Sequence, residues 1–173
     1  MISIITPFDK PIFIKSSKLK FNLAFKKSYF NLLIYITVTV ALMILIAIDK
    51  GPTSSFYGIT GVILLILTFN NILRVINVRA RYFKEVNLMA EKFEKQQFVC
   101  TYEFTDLEFN YFDNEKRVYF KWEAFTNYSI KNDCFMLLTN KEILFMLHQT
   151  EAGEQQFKQI IELTQSKLSF KKL

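Results

Sequence analysis

Twenty consecutive residues without a charge, 29–48, of which 17 are apolar, constrain this chain more than any other feature. A helix over them measures about 30 Å at 1.5 Å per residue, the thickness of a bilayer's hydrocarbon layer. A second uncharged run, residues 56–73, holds 12 apolar residues of 18 and is softened by Gly58, Thr60, Gly61, Thr68, Asn70 and Asn71. These small and hydrogen-bonding residues suit close packing against the first helix. Residues 49–55, DKGPTSS, form a connection too short for anything but an antiparallel pair. A cleaved signal peptide fits poorly, because the apolar run exceeds an h-region of about 7–15 residues and Asp49 follows it directly.

Outside the two runs the apolar share drops to about 44%, an ordinary globular composition. The chain therefore reads as residues 1–28, a basic segment with a short strand at 11–15 and an interfacial helix; 29–76, a transmembrane hairpin; 77–97, an amphipathic connecting helix; and 98–173, a water-soluble α+β domain. Over residues 18–28 helical and strand spacings coexist, and the adjoining span favours helix.

The net charge of +6 sits beside the apolar runs. Lys18, Lys20, Lys26 and Lys27 precede them, Arg74, Arg79, Arg81 and Lys84 follow, and Lys50 alone lies between. By the positive-inside rule both termini are cytoplasmic. Residues 85–173 carry a net charge of −3, which offers nucleic acid no basic face. Membrane lipids are the expected neighbours of the basic flanks.

Val75, Val78, Tyr82, Val86, Met89 and Phe93 recur at helical spacing and define a candidate partner-helix face. The rest of this chain is one cover for it, and a homodimer seam is another. From residue 98 the period becomes two, with strands expected at 98–104, 107–112, 118–122, 127–130, 134–139 and 143–147. Turns fall at 113–116, 131–133 and 140–141, and Phe157, Ile160, Ile161, Thr164 and Leu168 mark a closing helix. Trp122, on the face of Val118 and Phe120, is the expected core anchor. The compact arrangement is an antiparallel meander, bent or half-closed into a barrel, sealed by the last helix.

This order, with its lone Trp in WEAF (122–125) and a closing helix opening on EQQF (154–157), resembles the YcxB-like family of bacterial membrane proteins. The resemblance implies a pleckstrin-homology-type domain on a two-helix anchor in the bacterial inner membrane.

Catalytic chemistry finds no footing. The soluble part has one glycine, Gly153, so no phosphate loop forms, and His148 is the chain's lone histidine. Cys100 and Cys134 lie in apolar strands and read as core thiols, leaving no metal site and no cofactor. Asp106, Glu108, Asp113 and Glu115 lack the glycine-centred loop of a calcium site. The expected function is a membrane-anchored, non-catalytic binding module that recruits a protein partner. An anionic-lipid or small-ligand sensor and an immunity or stress-protection protein are the alternatives.

Overall fold

The computed structural model describes residues 1–48, 54–140 and 142–173; the expected Gly51-Pro52 connection and Lys141 of the turn at 140–141 lie outside them. The chain divides into two compact units, Met1–Leu23 with Val86–Leu173, and Ala24–Glu85. Residues 1–23 thus belong with the sheet domain, not to a separate basic segment.

Strand β1 (Ile2–Pro7) precedes helix α1 (Lys10–Ile48) and helix α2 (Ser54–Lys95), each of which passes from one unit into the other, and the remaining strands of the first unit follow. β2 (Val99–Phe104), β3 (Glu108–Phe112) and β4 (Arg117–Lys121) complete an antiparallel sheet of order β1-β2-β3-β4. A second sheet has the order β7-β6-β5-β8, from β5 (Asn127–Lys131), β6 (Cys134–Leu138), β7 (Ile143–His148) and β8 (Ser169–Phe170), with β5 and β8 parallel. Short helix α3 (Gln149–Ala152) and helix α4 (Glu154–Gln165) precede β8. The six strands expected after residue 98 are present, split into two antiparallel runs by a 3₁₀ turn at Trp122–Ala124.

The strand expected at 11–15 is instead the start of α1. Asp9 caps that helix by accepting from the Ile12 N–H at 2.9 Å, and Pro11 sits in the first turn, where its missing N–H costs nothing. The strand lies earlier, where Ile2 pairs with Phe104 and Pro7 with Val99.

One core joins both sheets. Ile4, Tyr102, Phe104 and Phe109 from the first pack with Tyr128, Phe135, Leu137, Phe145 and Leu147 from the second, and Phe157 and Ile160 of α4 close it. Phe109 and Phe145 meet at 4.6 Å between ring centroids, which locks one sheet onto the other. On the opposite face of the second sheet, Cys134, Met136, Leu138 and Ile143 are covered by Leu19 and Leu23 of α1 and by Leu173. Every residue of β6 is buried for that reason, where a strand with one wet face would alternate.

The end of α2 shows how its stripe is used. Gln97 takes a left-handed φ of 47°, its N–H donates to Glu94 O at 3.2 Å, and the Phe98 N–H donates to Phe93 O at 3.1 Å. This is a Schellman stop, and the rings of Phe93 and Phe98 stack across it at 4.4 Å. Phe8 and Phe13 add edge contacts to Phe93 at 5.5 and 5.9 Å. Val86 and Ala90 are buried, whereas Met89 is 53% exposed. The candidate partner-helix face is corrected accordingly: Ala90, not Met89, lies on it, and in this unit it is interior.

In the second unit the two helices run antiparallel. Thr39 Oγ1 donates to Tyr35 O at 2.8 Å and lies 3.2 Å from Thr68 Oγ1, while a Cβ on Gly61 would stand 3.1 Å from Ile46 Cδ1. From Thr39 to Ile46 the first helix advances seven residues, and from Thr68 to Gly61 the second retreats seven, two turns each, so these contacts follow one seam. Gly61 and Thr68 face the first helix as their chemistry suggests. Gly58 has nothing within 4 Å of a built Cβ, and Thr60 bonds its own helix through Phe56 O. Val75 and Val78 line a cavity with Phe25 and Leu32, and Tyr82 is half-buried. Large apolar side chains, including Phe30, Leu33, Ile44, Ile59, Ile63 and Phe69, face outward. Both helices are long and apolar enough to cross a membrane.

Candidate functional site

The first unit carries a half-open cleft of about 240 Å³ between the first turns of α1 and the second sheet. One wall is a single helical face: Lys15, Lys18 and Asn22, with Leu19 at its base, recur at spacings of three and four. The other wall is Asn132, Cys134 and His148. Asn132 and Asp133 both have positive φ, 51° and 60°, which makes the β5–β6 connection a type I′ turn. Asn and Asp tolerate that conformation better than other side chains, so this turn sets the register that places Asn132 at the cleft mouth.

His148 ends β7 directly opposite Cys134 on β6. It is 6% exposed, and its backbone N–H donates to Glu151 Oε2 at 2.7 Å. Lys15 Nζ lies 3.0 Å from Nε2. The other ring nitrogen, Nδ1, accepts from the Thr150 N–H at 3.3 Å as the cap of α3 and lies 2.9 Å from Thr150 Oγ1. Burial, reinforced by the Lys15 charge, holds the imidazole below its ordinary 6.5, against weaker opposing influence from Asp133 and Asp9. A neutral ring therefore steadies a positive lysine.

Cys134 forms the floor and is 1% exposed. Burial pushes its thiol up to about 11, so it is protonated near neutral pH and a poor nucleophile although a histidine stands across the strand. Burial likewise raises Cys100. Among the described residues no group of three or more metal-ligating side chains converges.

The basic flank residues separate between the units. Lys18 lines the cleft, and Lys20 is half-buried in the same unit. Lys26, Lys27, Arg74, Arg79, Arg81 and Lys84 are exposed in the second unit, where Arg79 lies over the ring of Phe83 at 5.9 Å. Asn132 reads in the sequence only as a turn residue, and Lys15 and Asn22 escape a reading that takes residues 11–15 as a strand. With the helix started at Lys10, the 15-18-22 spacing is the signal for them. Trp122 is buried at the start of the 3₁₀ turn, one residue past β4, and its Nε1–H donates to Thr105 O at 3.0 Å.

A comparison of the chain with family models, curated proteins and solved structures returned no match.

Proposed function

We propose that this chain is a membrane-anchored, non-catalytic binding module of the YcxB-like kind, held at the cytoplasmic face of a bacterial inner membrane, where its domain recruits a protein partner. What supports the reading is an open sheet edge on a domain tethered by apolar helices. The first sheet ends at β4, whose Tyr119 is 58% exposed between exposed Arg117 and Lys121. Such an edge offers unpaired backbone groups to an extended segment, with the aromatic and two cations to select it.

Connectivity supports a tether with both ends on one face. β1 precedes both long helices and pairs with β2 after them, so a chain that crosses the bilayer through α1 returns through α2 to the same face. The weight of lysine and arginine at that end supports the cytoplasm as that face. With Cys100→Ser and Cys134→Ala as background, Ser54→Cys is expected to react in intact cells with a membrane-impermeant thiol reagent, and Ser166→Cys only after lysis. The reverse pattern refutes the orientation.

For the edge itself, a photo-crosslinking residue in place of Tyr119 is expected to give one discrete protein adduct in native membranes. Lys121→Pro, which removes an outward-facing edge N–H at a position whose φ of −64° suits proline and leaves the β3–β4 hydrogen bonds in place, is expected to abolish it without moving the chain from the membrane fraction. Absence of any adduct along β4, or turnover of a substrate that His148→Ala stops, overturns the reading.

A further inference from the structure

We propose that the cleft above Cys134 is a binding site for a phosphate group, held by Lys15, Lys18, Asn22 and Asn132. The proposal is independent of the β4 edge. The lining contains two ammonium groups and two amides, all able to donate, and no carboxylate. Among the described residues neither Lys15 nor Lys18 has a carboxylate partner, whereas Lys10, Lys92, Lys158 and Lys167 each have one.

Lys15 instead rests on the imidazole of His148 at 3.0 Å, a partner that orients the ammonium without cancelling its charge. Lys15 and Lys18 are also three residues apart on one helical face, a spacing at which like charges repel. The nearby carboxylates Asp9 and Asp133 act on His148 but form no ion pair with either lysine, and an anion between the two ammonium groups would offset their repulsion. Two positive charges match a phosphate monoester, which carries about −1.5 to −2 at neutral pH. Amide donors from two sides suit a tetrahedral group better than a planar carboxylate.

Size narrows the ligand. About 240 Å³ is room for about eight waters at about 30 Å³ each, and less than the roughly 300 Å³ at which pockets for larger organic ligands begin. The space takes the phosphate group itself, as inorganic phosphate, a small phosphomonoester or a lipid phosphate headgroup.

His148 is the chain's single histidine, so its imidazole C–H signals in a nuclear magnetic resonance spectrum are unambiguous and lie at the site. The full chain in dodecyl maltoside at neutral pH is titrated with potassium phosphate at constant ionic strength, with potassium chloride as control. In a second arm it is placed in nanodiscs of phosphatidylcholine with and without phosphatidic acid.

A saturable shift with phosphate but not chloride identifies a free phosphate as the ligand; a shift produced by phosphatidic acid alone identifies the headgroup. Either upholds the site, provided Lys18→Glu weakens it at least tenfold. Lys18 is exposed, so this variant keeps the fold, and Asn132→Asp, which tolerates the same turn conformation, is a second test with the same expected loss. No response in either arm, or a response unchanged in both variants, overturns the proposal.

Discussion

A fragment comprising residues 98–173 is expected to be unfolded, although it contains every strand of the domain except one. β1 pairs with β2 over six residue positions and places Ile4, 3% exposed, in the shared core. The first turns of α1 supply Leu19 and Leu23 over β6 and the buried ring of Phe21, and Phe8 and Phe13 hold Phe93. Burial of Ile4 and of Phe21 contributes about 1.5–3 kcal/mol each, and each ladder hydrogen bond about 1 kcal/mol net. Their loss, with the two leucines, is of the order of a whole domain's stability of about 5–15 kcal/mol. Joining residues 1–23 to 86–173 through about 15 Gly/Ser residues, with a root-mean-square span of about 20 Å, is expected to restore cooperative urea unfolding and resistance to trypsin. Cooperative unfolding of residues 98–173 alone would show that the N-terminal strand is dispensable.

That dependence also marks where the sequence stops being legible. β2 to β7 announce themselves through period-two alternation and turn residues between them, because both signals are local. β1 does not: Ile2 and Ile4 alternate over too short a stretch, and the partner strand begins some 90 residues later, beyond the reach of any pattern. Residues 19–25 satisfy both periods, and only Asp9 and Pro11, read as a cap and a first turn, would have decided for a helix starting at Lys10. The cleft was hidden for the same reason. Lys15, Asn132 and His148 come from three distant segments, and Cys134 meets His148 only because β6 and β7 pair. By contrast the two apolar helices were plain, since a run of uncharged residues is its own evidence.

Replacing Trp122 separates a structural from a ligand-contact role more sharply than any other single change. The indole is 5% exposed, its ring lies 6.2 Å from Phe125, and its N–H reaches Thr105 O across the turn between the first sheet's inner strands. One edge also borders an open cleft of about 520 Å³ that includes Asp106 and Lys167, so a ligand contact is the competing role. Trp122→Phe keeps most of the ring and removes the hydrogen bond, a loss of about 1 kcal/mol. Trp122→Ala also leaves a cavity between the sheets and is expected to cost about 3–5 kcal/mol. On the joined 1–23/86–173 domain, where each kcal/mol shifts Tm by roughly 4–8 °C, the first variant should lower Tm by roughly 5 °C and the second by 15 °C or more. Far-ultraviolet circular dichroism reads both, since the only tryptophan fluorophore is lost. A Trp122→Ala domain melting within a few degrees of the native one would mean that the indole packs on nothing essential, and that it belongs to the neighbouring cleft as a ligand contact.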